Sequence, residues 1–142
     1  MNFVQGFQTD RRDPTRLKAS AACKHFLAYS FENNSQTDRY HVSVNVSVAD
    51  LEETFMPPFR ACVLEGQASG LMCAYNGVNG VPACASPELR QLRSDAAASI
   101  NHHGFYVTSD CEAVYDVLHK HHYTNNASQA IRDVLEAGMD LE

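Results

Sequence analysis

The sequence predicts an α/β fold in which parallel strands alternate with helices. Short, mostly apolar segments recur at 17–26, 68–76 and 104–110, and helical patterns follow them along the chain. Helices of this length are the usual crossover connection between parallel strands. The apolar segments show little polar alternation, which is typical of strands covered on both faces. With 142 residues, the chain is expected to form about one domain.

The first unit should begin with a strand within 17–26, followed by a polar loop at 32–41. The loop is rich in Asn, Ser and Asp, which favour turns. Its neighbouring charges, Asp38 and Arg39, are interpreted as a solvated pair of little energetic value. The strand therefore leads into a connection before the first long helix.

That helix is predicted over 48–66, with Asp50 as its N-cap and Glu53 as the capping-box partner. The prolines at 57–58 should kink or divide it, and Gly66 should close it. Apolar side chains at a four-residue repeat should form its buried face. These are Leu51, Phe55, Phe59 and Val63.

The later units repeat the pattern. The second strand is expected at 68–76, and the turn GVNGVP follows it; the third strand is expected at 104–110. Three helices complete these units, at 86–100, 112–122 and 126–138. Ser86 and Pro87 suit the cap and the first turn of the helix at 86–100. The last residues, GMDLE, stand where a fourth strand should begin.

Composition excludes several classes of function. A formal net charge of −6 leaves no basic face for nucleic acid. No apolar run approaches the roughly 20 residues that a membrane helix needs. The opening MNFVQGFQTD has neither the basic start nor the apolar stretch of a secretory signal. Either the true N-terminus is missing or the protein stays inside the cell.

The cysteines and the glycosylation triplets bear on the cellular compartment. None of the five cysteines forms a CxxC pair, so a zinc knuckle is not expected. A disulfide between Cys73 and Cys84 is allowed, although the spacing does not fix the pairing. Three Asn-x-Ser triplets begin at Asn33, Asn45 and Asn126. Together these features favour a secreted parent protein.

Polar residues stand at the carboxyl end of each predicted strand: Lys24 and His25, Tyr75 and Asn76, and Asp110. Parallel α/β folds build their sites at these ends. From spacing alone, however, Asp110 fits a helix cap better than a nucleophile. The Lys-His pair fits an exposed strand end, and Tyr75 fits an ordinary core tyrosine with a bonded hydroxyl.

Five motifs add to this pattern: CKHF, DLEETFMPPFRACV, MCAYNGVNGVPACA, GFYVTSDCEAV and EAGMDLE. In this order and spacing, residues 17–142 resemble the N-terminal (β/α)8-barrel domain of glycoside hydrolase family 3. The SDC variant, with the ENN and PAC segments, resembles the plant and fungal β-xylosidase branch. The resemblance implies an exo-acting glycosidase that retains the configuration at the anomeric carbon.

The resemblance also implies residue roles. Asp110, in the SD motif, would be the catalytic nucleophile. Lys24 and His25 would hold sugar hydroxyls, and Lys24 would favour the ionised form of the acid. Tyr75 would lie beside the nucleophile, and Met72 would line the same pocket. Two carboxyl groups suffice for this chemistry, so no cofactor is implied.

The chain is shorter than the domain it resembles. A (β/α)8 barrel takes about 250 residues, so about four β/α units, the C-terminal half of the barrel, are expected here. The acid/base residue would lie outside this chain, and xylose, arabinose and glucose all remain open as the sugar. The alternative is a truncated, non-catalytic remnant that binds sugar weakly or self-associates through open barrel edges.

A metal site is not expected. The stretch HKHHY at 119–123 places His119 and His122 three residues apart, and His102 and His103 add two more imidazoles. No carboxylate or cysteine stands at an offset that would complete a tetrahedral set. The resemblance implies an oligosaccharide or an aryl glycoside as the partner, and the composition argues against nucleic acid and a membrane.

Overall fold

The computed structural model describes residues 2–99 and 104–142. Its central sheet has three parallel strands in the order β1-β3-β6. These strands are β1 (Ala22–Phe26), β3 (Gly70–Cys73) and β6 (Tyr106–Ser109). The α/β class with parallel strand pairing is confirmed.

A second, smaller sheet lies in the connections between these strands. It consists of β2 (Ser43–Val44), β4 (Gly77–Val78) and β5 (Val81–Pro82). β4 and β5 form an antiparallel hairpin, and β2 runs parallel to β4. Asn79 and Gly80 form the turn with positive φ angles of 53° and 84°, as an Asn-Gly hairpin turn requires.

Helices connect the strands. α1 (Asn2–Gln8) opens the chain, and a continuous helical segment spans 48–65. In this segment α2 (Val48–Asp50) and α3 (Met56–Arg60) alternate with π-helical turns at Leu51–Phe55 and Ala61–Glu65. α4 (Pro87–Ser99), α5 (Ala113–His119) and α6 (Ala127–Glu136) follow. The prolines at 57–58 lie within α3 and do not end the helical segment, which is continuous through them.

The start of the 48–65 helical segment differs from the prediction. Its N-cap is Ser47, whose Oγ accepts a hydrogen bond from the backbone N–H of Asp50 (3.0 Å) and donates one to the Asp50 carboxylate (2.7 Å). The helix thus starts three residues earlier than predicted, and Asp50 lies in its first turn instead of at its cap. At the other end Gly66 is the C-cap, as predicted, with a helical φ of −74°, and Gln67 adopts the left-handed conformation at 56°.

The two faces of the central sheet are covered unequally, contrary to the expectation from the apolar segments. Leu71 and Val107 are fully buried on the side that faces the helices. On the opposite face Lys24 is exposed, and Met72 and Thr108 are half-buried. In the described part of the chain, only one face of the sheet is therefore covered completely.

Two disulfides tie the sheet to its connections. Cys23 of β1 is bonded to Cys62 in the 48–65 helical segment, and Cys73 of β3 is bonded to Cys84. The second bond is the one that the sequence allowed; the first, between residues 39 apart, was not foreseen. Both fix the strands relative to the elements that follow them.

The end of the chain adds to the same sheet. The N–H groups of Asp140 and Leu141 bond to Val107 O, and Leu141 O accepts from Ser109 N. Leu141 thereby forms a parallel bridge to β6 at Thr108. The backbone turns into the sheet at this point, as the sequence predicted for GMDLE. No helix in the described ranges is long and apolar enough to cross a membrane.

Candidate functional site

Asp110 lies directly after β6, at the carboxyl end of the central sheet. Its N–H donates to Cys73 O (3.1 Å), which continues the strand pairing, and its Oδ1 accepts from Cys111 N (2.9 Å). The N-cap of α5 is Glu112, with φ of 64°, and its side chain makes no capping bond. Asp110 is therefore not the side-chain cap of this helix, one of the roles that spacing alone favoured.

The second carboxylate oxygen of Asp110 faces His25 at the end of β1. The distance from Oδ2 to His25 Nε2 is 3.4 Å, and the two side chains are 15% and 26% exposed. Burial and the neighbouring Lys24 charge lower the pKa of His25, and the Asp110 carboxylate only partly opposes them. A neutral imidazole therefore stands beside the carboxylate at neutral pH.

Lys24 takes a different position from the one expected. It is exposed, and no ion pair within 4.0 Å joins it to Asp110 or to another acid in the described ranges. His25, rather than Lys24, is the basic side chain next to the acid. Lys24 still acts on the site through space, because its charge lowers the pKa of His25.

Tyr75 is buried, with 7% of its surface exposed, two residues beyond β3. Burial raises its pKa first, and the Asp110 carboxylate raises it further. The phenol therefore stays protonated and keeps a hydroxyl donor near the acid. Met72 lies on the less covered face of the sheet, opposite Thr108 in the strand register.

Arg39 and the tyrosines around it are the part of the site that the sequence did not reveal. The Arg39 guanidinium lies 5.0 Å from the ring centroid of Tyr75 and 4.8 Å from that of Tyr40. It donates to the Tyr40 hydroxyl (2.7 Å) and to Glu32 (3.2 Å). The expected Asp38-Arg39 pair does not form, because Asp38 bonds to His41 at 2.7 Å.

Aromatic rings enclose this side of the site. The Tyr29 ring packs edge-on against His25, with ring centroids 5.3 Å apart, and the Tyr40 ring packs edge-on against Tyr75 at 4.9 Å. Tyr40 lies in the polar loop at 32–41, where the sequence suggested only turns, and Tyr29 lies just before it. The available signal was an adjacent arginine and tyrosine in a loop of mostly small polar residues.

His121 contacts the backbone of Tyr75. Its Nε2 lies 2.6 Å from the backbone carbonyl oxygen of Tyr75, and burial lowers the pKa of the imidazole. Asp116, only 4% exposed, is close by, and burial raises its pKa. This His-rich stretch therefore includes a contact to the strand end. In the described ranges, no group of three His, Cys, Asp or Glu side chains is arranged to hold a metal, and His102 and His103 lie outside those ranges.

A cavity of about 370 Å³ lies next to Tyr75 and to Cys111 and Glu112, the two residues that follow the acid, whereas Asp110 and His25 do not line it. Tyr40, Tyr75 and Tyr115 supply aromatic surface, and Glu112 and Lys120 supply charge. Aromatic faces together with hydrogen-bonding groups suit a ligand that has many hydroxyl groups and an apolar ring face.

The fold and the site define an α/β domain with its polar groups gathered at the carboxyl ends of parallel strands, where such domains bind their ligands. The model of the family described as Glycosyl hydrolase family 3 N terminal domain matches residues 1–142. The chain therefore belongs to glycoside hydrolase family 3.

Proteins similar in sequence include plant β-xylosidases. The chain is 45% identical over 144 residues to "Probable beta-D-xylosidase 7" of Arabidopsis thaliana, covering 98% of this chain and 18% of that protein. It is 41% identical to "Beta-xylosidase/alpha-L-arabinofuranosidase 1" of Medicago sativa subsp. varia, covering 99% of this chain and 18% of the relative. The chain thus spans about a fifth of the length of these relatives.

Solved structures show the same fold. A "GH3 exo-beta-xylosidase (XlnD) in complex with xylobiose aziridine activity based probe" matches with a TM-score of 0.80 and 33% identity, covering 96% of this chain and 17% of that one. A β-glucosidase from Erythrobacter marinus matches with a TM-score of 0.74 and 27% identity, covering 98% of this chain and 18% of that one. The relatives thus include both β-xylosidases and β-glucosidases.

Proposed function

We propose that this chain provides the nucleophile of a retaining exo-β-glycosidase of the β-xylosidase type, and that Asp110 is that nucleophile. The observation that carries the proposal is the position of the acid. Asp110 projects from the carboxyl end of β6, one of its oxygens held by a backbone N–H and the other 3.4 Å from His25. A carboxylate fixed in this way can be aimed at a single carbon atom of a bound sugar.

The reaction takes two steps. An Asp110 oxygen attacks the anomeric carbon, the bond to the leaving oxygen breaks, and a second carboxyl group gives that oxygen a proton. Water then attacks the same carbon and releases Asp110, so two inversions give net retention. We assign the proton donor to a segment outside this chain, as the resemblance to the family implies. Burial raises the pKa of Asp116, but this side chain is only 4% exposed.

The remaining residues hold the sugar. His25 and Lys24 donate hydrogen bonds to hydroxyl groups, and Tyr75 donates its phenol proton near the acid. Bonds of this kind accelerate the reaction when they strengthen as charge develops in the transition state. Met72 contributes apolar surface from the less covered face of the sheet, and the Arg39 guanidinium, 5.0 Å from the centre of the Tyr75 ring, supports that ring.

The rest of the barrel follows from the same proposal. The three parallel strands, with the added bridge at Leu141, supply the last four of its eight strands. The less covered face, which includes Lys24 and Met72, then faces the barrel interior, where the other strands complete the packing. The substrate is a terminal β-linked xylose or a similar sugar of an oligosaccharide or aryl glycoside. We place the parent protein in the secretory pathway, because two disulfides persist in an oxidising compartment.

Covalent trapping tests the nucleophile. The full-length gene product is incubated with a 2-fluoro-β-xyloside that bears a good leaving group, and the peptides are mapped by mass spectrometry. The expected result is a fluoroxylosyl ester on Asp110. Asp110→Asn should form no ester, whereas Glu112→Gln, which removes the neighbouring acid, should label normally. A label on any other side chain would refute the assignment.

A second candidate function is supported by the open edge of β1 and by the half-exposed face of the sheet. In the described sheet β1 has a partner on only one side, and such edges promote association between chains. A 142-residue remnant would then assemble with a second copy and bind sugar weakly. Light scattering of the purified chain tests this: concentration-dependent dimers favour it, and a stable monomer at all concentrations excludes it.

A further inference from the structure

The three Asn-x-Ser triplets lie in three different structural settings. Each could accept an N-linked glycan in a eukaryotic secretory pathway, because the transferase recognises only the triplet in an unfolded chain. A triplet is compatible with the folded protein only if its Asn side chain points into open solvent. The folded structure therefore distinguishes Asn33, Asn45 and Asn126, which the sequence alone does not.

Asn45 is exposed, as Asn33 and Asn126 also are, and differs from them in its local backbone. It follows β2 in an extended segment in which exposed and half-buried residues alternate, so that Asn45 and Ser47 are exposed and Val44 and Val46 are half-buried. The side chain of Asn79 fixes this segment: its Oδ1 accepts from Val46 N (2.8 Å) and its Nδ2 donates to Val46 O (2.9 Å). The Asn45 amide itself makes no hydrogen bond within the described ranges.

Asn126 is already used by the fold. Its Oδ1 accepts from Gln129 N (3.0 Å) and caps α6, and Ser128 lies in the first turn of this helix. The side chain is therefore held against the end of the helix, in a geometry that the cap requires. A glycan on Nδ2 would have to share this amide with the capping bond.

Asn33 lies in a compact turn at the rim of the candidate site. It forms an antiparallel bridge with Asp38, and the next side chain, Asn34, accepts bonds from the N–H groups of Gln36 and Thr37. The preceding residue, Glu32, is bonded to Arg39 of the site. A branched glycan here would stand next to the contact between Glu32 and Arg39.

We infer that Asn45 is an N-glycosylation site, an inference that rests on the proposed secretory location. In this modification the Asn45 Nδ2 loses a proton and bonds to C1 of an N-acetylglucosamine. The C1–O bond to the lipid diphosphate donor breaks, and the lipid diphosphate leaves. The host transferase supplies the catalysis, so no group of this chain takes part apart from the Asn45–Ser47 triplet.

The surroundings of Asn45 give the glycan a function. A surface depression of about 420 Å³ lies beside this residue, and Phe31, Val44, Val46 and Phe55 supply apolar surface to it. An exposed apolar depression favours association between chains. The first sugar ring, attached at its edge, covers these side chains and separates them from neighbouring molecules.

The experiment maps glycans on the full-length gene product after secretion from plant or yeast cells. Amidase release in heavy-oxygen water converts each glycosylated Asn to labelled Asp, which mass spectrometry locates. The expected result is label at Asn45 in most molecules. Asn45→Gln should increase the electrophoretic mobility by the shift that corresponds to one glycan. Ser47→Thr keeps both the acceptor triplet and the helix cap, and the protein should therefore keep the glycan.

Asn33→Gln and Asn126→Gln are the matched controls and should leave the mobility unchanged. An unlabelled Asn45 in the secreted protein would overturn the inference, whether or not the other two positions are labelled. A protein that carries no glycan at all would overturn it too. Because mapping does not measure hydrolysis, a labelled Asn45 on a protein inactive toward xylosides would leave this inference intact and contradict the proposed function instead.

Discussion

The two ends of the central sheet both gather polar residues, but they use them differently. At the amino end, Gln8 is 4% exposed. Its Oε1 accepts bonds from Ala21 N (3.0 Å) and from the N–H and hydroxyl of Ser69 (2.9 and 3.0 Å), and its Nε2 donates to Gln67 O (2.8 Å). Its amide oxygen is fully bonded and one of its two N–H donors is used, all within the protein.

At the carboxyl end, some hydrogen-bonding groups of the side chains are not used within the protein. His25 and Asp110 remain partly exposed, and their closest approach, 3.4 Å, is longer than a strong charge-assisted hydrogen bond. Tyr75 keeps its phenol proton beside the acid because burial and Asp110 raise its pKa. Polar groups whose bonds are complete contribute to stability, whereas groups with unused bonds in a partly open site are available to a ligand.

Among the residues proposed to hold the sugar, His25 gives the largest expected effect when it is replaced. His25→Ala removes a donor to the sugar, and loss of one such donor in the transition state costs on the order of 10²-fold in rate or more. We expect kcat/KM on an aryl β-xyloside to fall by about that factor, with an unfolding midpoint close to that of the unchanged protein. The exposed His119→Ala is the control and should alter neither quantity. If His25→Ala loses stability as well as activity, His25 has a structural role like that of Gln8, and the two ends of the central sheet do not differ in function.

Gln8→Ala tests the amino end. The change leaves the N–H groups of Ala21 and Ser69 without their acceptor, and each unsatisfied buried group costs about 1–3 kcal/mol. We expect amide hydrogen exchange near these residues to accelerate by about 30-fold or more, while kcat/KM at low temperature is unchanged. Gln5→Ala, which removes an exposed bond to Glu65 O, should have a much smaller effect. Lost activity with unchanged exchange would contradict the structural role.

His121 has a structural role at the carboxyl end of the sheet. It holds the end of a strand without facing the sugar. His121→Ala removes the bond to Tyr75 O, and a bond of this kind is worth about 1 kcal/mol. We expect kcat/KM to fall by about five-fold, with little change in KM. His121→Gln, which restores an N–H donor, should recover most of the loss. If Gln and Ala behave alike, the imidazole serves only to fill space.

The strand ends could be predicted because each acid or base directly follows an apolar segment of the sequence. The positions of Asp110, His25 and Tyr75 come from this pattern, and parallel pairing brings them together. Arg39 and His121 reach Tyr75 from loops 36 and 46 residues away in sequence, and no local pattern encodes contacts of that kind.

Other departures have local causes. Ser47 and Asp50 both suit the start of a helix, and the reciprocal bonds between them decide in favour of Ser47. The bond between Cys23 and Cys62 joins residues 39 apart, so the sequence did not specify it. One face of the central sheet is only partly covered. Which segments cover a sheet face cannot be read from the composition of its strands.

Lys24 gives the smallest and most specific effect at the carboxyl end. Burial is the main cause of the lowered pKa of His25, and the Lys24 charge is the second. Lys24→Ala should therefore raise the pKa of His25 part of the way toward its ordinary value of 6.5. The exposed Lys18→Ala, whose backbone N–H bonds to Gln8 O at the amino end, is the matched control and should leave the pKa unchanged.

The same shift predicts a pH effect on stability. Because the folded pKa of His25 lies below 6.5, the unfolded chain takes up the proton first as the pH falls. The stability due to the neutral imidazole is therefore complete above pH 6.5 and decreases as the pH drops from there through the folded pKa. Lys24→Ala should narrow the pH range over which this stability is lost, because it brings the folded pKa of His25 closer to the unfolded pKa. Histidine NMR titration measures the folded pKa directly, and an unchanged or lower value in Lys24→Ala would show that Lys24 does not act on the site.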